Sequence, residues 1–539
     1  MLVPQGMAYA LLAGLSPQQG LYASILPVMI YGLLGSSGTL SVGPTAVSAL
    51  LVASGVSQFA DVGTSEYVAL ALLLALMVGV IQMVMSLLKA GFLVNFLSHP
   101  VLAGFTSAAA IIISASQLKH VLGIEVPRFG HFHETVIHII SHLGEVNPAT
   151  LILGTLSIVT LVYFRSIFKT HLQRFNLPES VLVPLTKIGP LFVVIMGTVT
   201  VWAFGMNTRA DVGIVGTVPA GLPDLTFPQI DLNHIRMLLP TALTISLIGF
   251  TESISVAKSL ASKRRRRLSP NQELMAIGAA NFGASLTGAY PVSGGLSRSI
   301  VNFSAGANTG LASIITGGLI ALTVTFLMPL FFYLPQATLA AIIIVAVTKL
   351  FDLDAFINAW RYNHSDALSM LVTFFAVLVL GIETGILIGV AVAIALYLRR
   401  TSQPHIAVVG RVGDTEHFRN VQRHQVHTIP SLMIIRIDES LYFANTRCLE
   451  SEVLNTVADN PEVDHLVLMC SAVNFIDSSA LSVLEKLIDE LHDSGVTLYL
   501  SEVKGPVMDG LRDIGFIDRL GEDRVFLSTH EAMCRLEGV

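Results

Sequence analysis

Apolar residues fill the first 400 positions in long blocks rather than at alternating positions. Seven blocks are extended and nearly free of charge: Tyr67–Leu88, Val101–Leu118, Thr150–Phe164, Leu185–Phe204, Met237–Ser259, Leu311–Leu334 and Asp366–Leu398. A membrane-spanning helix needs about 20 such residues, and fewer where a helix is broken inside the protein. The last block exceeds one span, so a fold-back is predicted near "GIETG" (Gly381 to Gly385). Shorter or interrupted blocks at Leu21–Leu34, Pro44–Val56, Leu274–Leu286, Leu296–Ala305 and Gln336–Leu350, together with the opening segment, complete a set of about fourteen. The opening "MLVPQGMAYALLAGL" supplies about 22 Å of helix before Ser16 and Pro17, short of a hydrocarbon core of about 30 Å, and it lacks a charged leader. It reads as a first span truncated at its start.

Beyond Arg400 the rhythm changes. "SLMIIRIDESLYFAN", "VDHLVLMCSAV" and "GVTLYLSEV" read as strands; "SALSVLEKLIDELHDSG" and "GPVMDGLRDIGF" read as helices ended by glycine. Alternating strands and helices predict a small α/β domain. The expected division is a membrane domain over 1–400, with repeats at 1–205 and 237–400, and a second domain over 401–539.

Composition supports this division. The chain has 539 residues, 53% hydrophobic and 13% charged, against roughly 25% charged in soluble domains. Residues 1–400 carry a net +5 and residues 401–539 a net −11. Cys448, Cys470 and Cys534 all lie in the acidic tail, an odd number without framework spacing, as expected of reduced cytoplasmic thiols. The basic residues Arg165, Lys169 and Arg174, the run Lys263 to Arg267, Lys349 with Arg361, and Arg399 with Arg400 fall on one side if each span is crossed in turn. The positive-inside rule makes that side, and the tail, cytoplasmic, with the chain in a cell's inner (plasma) membrane. "KRRRR" is read as part of this topology, with no nucleic-acid partner. In "GHFHETVIHIISHL", His131, His133, His138 and His142 suggest metal, but no Cys joins them, and an amphipathic surface helix is expected. A helix is predicted to start at "SPNQEL", with Ser269 as N-cap, Pro270 first and Gln272 closing a capping box.

Two interrupted segments carry the candidate chemistry. "TLSVGPTAVSALLVASG" has Gly43 and Pro44 in the third apolar segment; "GAYPVSGGLSRSIVN" has Pro291, Gly294 and Gly295 seven segments later. Inverted-repeat transporters bind substrate where two such broken helices meet near the midplane. The free N–H groups and positive ends of half-helices suit an anion. Arg298 lies in the second segment, where a membrane-buried arginine costs at least about 2.5–3.5 kcal/mol unless an anion or carboxylate offsets it. The nearest candidate carboxylate on a span is Glu252, in "LTISLIGFTESISVAKSLA", flanked by Thr251, Ser253 and Ser255. It is a candidate proton carrier or cation ligand, or alternatively half of a structural ion pair with Arg298. Lys258 is expected to snorkel to the cytoplasmic face.

"VPQGMAYALLAGLSPQQGLYASILP", "SVGPTAVSALL", "GFTSAAAIIISASQLKHVLG", "GGLSRSIVN" and "LPQATLAAIIIVAV" resemble the SulP (sulfate permease) anion transporters. "VNFIDSSALSVLEKL" resembles their C-terminal STAS domain, itself similar to anti-sigma-factor antagonists. The resemblance implies fourteen helices in a seven-plus-seven inverted repeat, a moving core and a gate that dimerises. It also implies carriage of sulfate, bicarbonate, chloride or dicarboxylates, often coupled to H⁺ or Na⁺. By position, the family's anion pocket falls on Gln5, Tyr9, Thr45, Ala46, Leu296, Ser297 and Arg298. Core packing competes with this role for Tyr9, and helix capping competes for Thr45. The resemblance implies that sodium-coupled bicarbonate carriers pair their acid with a hydroxyl one turn on; here that position is Val256, which favours H⁺ coupling, or none, over Na⁺. Ser478 and Ser479 lie where the antagonists are phosphorylated, at a helix N-terminus that would favour a phosphate, with capping by Asp477 as the alternative.

The expected function is secondary active, H⁺-coupled transport of a small anion by elevator-like displacement, in a homodimer within the lipid bilayer. A cytoplasmic regulatory protein at the STAS domain is a further expected partner. No enzyme chemistry, cofactor or metal is expected. The alternatives are a membrane-tethered signalling protein with STAS output and, among transporters, Na⁺-coupled bicarbonate uptake, anion exchange or nucleobase carriage.

Overall fold

The structure is a computed structural model that describes residues 2–92, 98–127, 132–173, 185–186 and 188–537. The expectations for His131 and Arg174 lie outside the described residues. The chain forms two compact units, Met1–Ala393 and Ile394–Val539.

In the first unit the apolar blocks become helices, because a chain without water must satisfy its N–H and C=O groups within each segment. In chain order these are α1 (Leu2–Leu12), α2 (Pro17–Tyr22), α3 (Leu26–Leu34), α4 (Ala46–Val56), α5 (Ser65–Leu87), α6 (His99–Leu122), α7 (Phe132–Ser141), α8 (Pro148–Ser166) and α9 (Gly189–Phe204). The second half holds α10 (Leu232–Lys263), α11 (Pro270–Leu286), α12 (Leu296–Ser304), α13 (Leu311–Phe326), α14 (Gln336–Val347), α15 (Leu353–Tyr362), α16 (His364–Leu380) and α17 (Ile382–Ser402). Among the described residues, setting aside the short helices of six residues or fewer (α2, Phe168–Gln173 and Met206–Arg209) and the amphipathic α7 and α15, seven helices fall in each half. The two amphipathic helices occupy corresponding places, after the fifth and the twelfth. Among the described residues α5, α6, α8, α10 and α17 are long and apolar enough to cross a membrane alone.

Local signals set the ends. Thr64 accepts from Tyr67 N, and Asn147 from Ala149 N and Thr150 N. Gly381, at φ +91°, divides the expected double-length block into α16 and α17. The Leu311–Leu334 block is shorter as a helix than expected: α13 stops at Phe326 and a 3₁₀ turn follows over Met328–Phe331, where Pro329 cannot continue the ladder. Ser269 does cap α11, but the expected capping box is replaced. The Gln272 amide donates instead to Leu34 O at the end of α3 (3.1 Å), a carbonyl that α3 leaves unpaired.

The helices pack in two groups. In one, α11 lies on α5 and α3, α13 on α3, and α10 on α5; in the other, α6 carries α16, α14 and α8, with α9 on α8. Glycines permit the tightest approach. A Cβ on Gly79 of α5 would stand 2.6 Å from Phe282 N of α11.

The second unit is a six-stranded sheet in the order β4-β3-β5-β6-β7-β8. Its strands are β3 (Ile406–Arg411), β4 (Phe418–Asn420), β5 (Leu432–Ile437), β6 (His465–Met469), β7 (Thr497–Ser501) and β8 (Val525–Phe526). β5 to β8 are parallel and β3 is antiparallel to β5. The predicted α/β alternation is present, with α18 (Thr446–Ala458), α19 (Ser478–Asp493) and α20 (Gly505–Asp513) covering the parallel strands. β3 carried no recognised signal, and the expected strand at Ser431–Asn445 ends at Ile437. Leu449, Leu484, Leu487 and Leu491 meet Ile435, Leu466, Leu468 and Leu498 in the core. Cys470 is buried there, and burial pushes its thiol up to about 12, while Cys534 is exposed.

Candidate functional site

The two interrupted segments meet. β1 (Val42–Gly43) and β2 (Ser293–Gly294) form an antiparallel pair, Val42 opposite Gly294 and Gly43 opposite Ser293. Gly295 N donates to Ser41 O (3.0 Å) and Ser41 N to Ser299 Oγ (2.9 Å), which extends the crossing beyond the Val42–Gly294 pair. The crossing is pinned from behind. Gly294 N donates to Ser253 Oγ of α10 (2.7 Å), and Asn281 of α11 clamps Val292 at both N (2.7 Å) and O (3.1 Å). Each strand leads straight into a half-helix, β1 into α4 and β2 into α12.

Arg298 sits on the first turn of α12 and is 7% exposed. Its Nη1 donates to Pro44 O across the crossing (2.6 Å), while Nε and Nη2 have no partner among the described residues. The alternative of a structural ion pair is not formed: no salt bridge among the described residues joins Glu252 to Arg298. Glycine makes room for the guanidinium. A Cβ on Gly295 would stand 2.7 Å from Nη2, and Gly43, at φ +150°, presents its bare Cα side to the same nitrogen. The unpartnered Nε–Nη2 edge is the fork that grips a carboxylate or oxyanion with two parallel bonds.

The other expected residues gather unevenly. Tyr9, 6% exposed on α1, lies within electrostatic reach of both Arg298 and Glu252. Gln5, one turn earlier and 6% exposed, lines a cavity of about 80 Å³ together with Ser297, Arg165 and Lys349. Ala46 opens α4 and Leu296 opens α12, with Gly295 supplying no side-chain cap, so the first N–H groups of α12 stay available. The Leu296 side chain itself is 51% exposed. The Thr45 hydroxyl is engaged within the protein: it caps Ser48 N and bonds Ser293 Oγ (2.8 Å) and Ser48 Oγ (3.0 Å). Glu252 is half-buried on α10, Val256 buried, and Lys258 exposed. A larger cavity of about 630 Å³ lies at the other ends of α1 and α4, lined among others by Ser57, Lys119, Thr135 and Glu383.

Two residues escaped the sequence reading. Tyr290 is wholly buried, and its hydroxyl has no partner among the described residues. Glu273 of α11 is also wholly buried and accepts from Tyr31 OH (2.8 Å), Ser36 N (2.8 Å), Ser36 Oγ (2.6 Å) and Ser37 N (2.9 Å). An acid in the first turn of a helix reads as a dipole partner, so nothing in "SPNQEL" announces the tie to a loop 236 positions away. In the second unit Ser478 and Ser479 are exposed at the start of α19, and Asp477 caps it, accepting from Ala480 N (2.8 Å) and Phe443 N (2.8 Å). The described part of the His-rich stretch forms α7 and the turn after it, with Ile137 and Ile140 exposed and the His138 ring stacked on His142, just past the helix end, at 4.0 Å.

Comparison with known proteins follows the same division. The sulfate permease family model matches residues 1–373 and the STAS domain model matches residues 423–532. A probable sulfate transporter 4.2 of Arabidopsis thaliana is 37% identical over 99% of this chain and 79% of its own. A probable sulfate transporter of Mycobacterium tuberculosis is 33% identical over 99% of this chain and 92% of its own. Among solved structures, the murine anion transporter Slc26a9 in the inward-facing state superposes with TM-score 0.91 at 26% identity, covering 100% of this chain and 90% of that one. The transmembrane domain of the cyanobacterial bicarbonate transporter BicA shares the fold, with TM-score 0.60 at 21% identity over 73% of this chain and 94% of that one. With its helical unit and its tail both matched in order, the chain belongs to the sulfate permease family and carries a C-terminal STAS domain.

Proposed function

We propose that this protein is a secondary active transporter of a small oxyanion, with sulfate as substrate and protons as the coupling ion. The observation that carries the reading is the Arg298 fork. One guanidinium nitrogen is fixed to Pro44 O between two half-helix N-termini, and the Nε–Nη2 edge is buried without a protein partner. Keeping such a group charged inside an apolar helical unit is costly unless an anion visits it. Among the anions this fork would accept, the relatives described as sulfate transporters favour sulfate over bicarbonate or a dicarboxylate.

Glu252 is the proposed proton carrier. It stands on α10 near Tyr9 with no ion pair among the described residues, and Val256 one turn on offers no side-chain oxygen for Na⁺. Elevator-like movement of the α5/α11 group against the α6/α14 group fits the two-group packing and the cavities at opposite ends of α1. The arrangement goes with a dimer in the plasma membrane and a cytoplasmic STAS domain, where Ser478 and Ser479 are open to modification and to a regulatory protein.

Proteoliposome uptake of labelled sulfate, bicarbonate and fumarate, with and without inward H⁺ or Na⁺ gradients, tests the reading. Sulfate uptake is expected to be driven by H⁺, abolished in Arg298→Ala and uncoupled from the gradient in Glu252→Gln. If no anion moves under any gradient, a signalling role with STAS output replaces this one.

A further inference from the structure

The crossover from Gly288 to Asn302 contains three buried polar atoms without a partner among the described residues: Arg298 Nε, Arg298 Nη2 and the Tyr290 hydroxyl. The first two are accounted for by the fork. The third needs its own reason, because a buried tyrosine keeps its ring in the core but normally finds a partner for its O–H. Tyr290 is 0% exposed, so bulk water does not serve it. Nor is its loop free to turn the hydroxyl elsewhere. Ala289 N donates to Ala284 O (3.0 Å), Asn281 holds Val292 at both backbone atoms, and Gly294 N is tied to Ser253. The ring lies within electrostatic reach of Arg298 and of Tyr9, so phenol and guanidinium share one neighbourhood.

We propose that the Tyr290 hydroxyl is a further substrate-binding group, donating to an oxygen of the anion beside those taken by the Arg298 fork. One ligand then satisfies all three orphaned atoms. The assignment rests on the anion-transport reading above and sharpens its substrate class. Two of the donors are coplanar, on one guanidinium edge, and the third belongs to a separate side chain eight positions earlier. A tetrahedral dianion offers oxygens in several directions and meets all three, whereas planar bicarbonate has fewer oxygens and half the charge. Tyr290 therefore discriminates for sulfate-like ions.

The test is Tyr290→Phe in the full chain, which removes one oxygen and keeps the ring. Sulfate and bicarbonate uptake are measured in proteoliposomes, and thermal unfolding in detergent with and without sulfate. The expected result is a KM for sulfate raised about tenfold, the scale of one hydrogen bond to a charged group. Bicarbonate transport should change less than twofold. The melting temperature without sulfate should stay at or above wild type, and the stabilisation by sulfate should shrink. An unchanged sulfate KM and stabilisation overturns the assignment. So does a lower melting temperature without sulfate at unchanged KM, which makes the hydroxyl structural. If wild type is neither stabilised by sulfate nor transports it, the transport reading falls and this inference with it. If wild type does both and the variant matches it, only Tyr290 is lost.

Discussion

Single side chains decide much of the stability of this molecule. Glu273 receives four donors in a wholly buried position, joining the end of α3 to the start of α11. Glu273→Ala strands those donors, each at about 1–3 kcal/mol if left unmade, so it should lower the melting temperature in detergent more than most core truncations. Glu273→Gln keeps the shape and one acceptor and should fall between Ala and wild type; Tyr31→Phe, losing one bond, should cost about 1 kcal/mol. In the tail, burial alone would raise the Asp438 carboxyl. Hydrogen bonds from Arg436 (2.6 and 3.0 Å) and His405 (2.8 Å) outweigh burial and leave the carboxyl below its ordinary value. A depressed folded pKa stabilises above the unfolded value of about 3.9 and loses that contribution as pH falls through the folded value. Asp438→Asn should therefore destabilise the tail at pH 7, by no more than about 1 kcal/mol for a partly exposed pair, lowering its melting temperature there, and approach wild type near pH 2. Thermal scans at the two pH values check the sign.

Pairs of elements decide movement. Thr241 Oγ1 on α10 donates to Glu383 Oε1 at the start of α17 (2.5 Å), and Glu383 lines the larger cavity. Thr241 lies eleven positions before Glu252, about three helical turns, so the two share one face of α10. This bond ties α10, which packs on α5, to the helix following α16 in the other group. Thr241→Val should weaken that tie and speed labelling of a cysteine placed at Ser54 in the same cavity; an unchanged labelling rate would show the bond to be incidental. Within one group, Gly79→Leu should be severely destabilising, since its Cβ alone meets the α11 backbone at 2.6 Å.

At the scale of the whole chain the two units have separate cores. The tail's sheet is complete within 405–537, with helices covering its parallel strands. Residues 401–539 expressed alone should unfold in one cooperative step, and residues 1–400 reconstituted alone should retain sulfate uptake. Loss of all uptake on removing the tail would favour a signalling chain in which the two parts act as one.

Much of this plan is local and was therefore legible along the chain. Helix number and order follow from apolar block length. The break between α16 and α17 follows from Gly381, and the paired half-helices from Gly43, Pro44, Gly294 and Gly295. A backbone that must satisfy itself, and glycine's freedom at a turn, act over a few residues. Tertiary structure alone decided the rest, because the partners stand 236 to 258 positions apart. It paired Ser41–Gly43 with Ser293–Gly295 and turned Arg298 toward Pro44 rather than Glu252. It engaged Thr45 with Ser293, moved Gln272 from its own helix cap to Leu34, and closed a nest around Glu273. The Tyr290 hydroxyl belongs with these: an unmet donor exists only once every other group has taken its place.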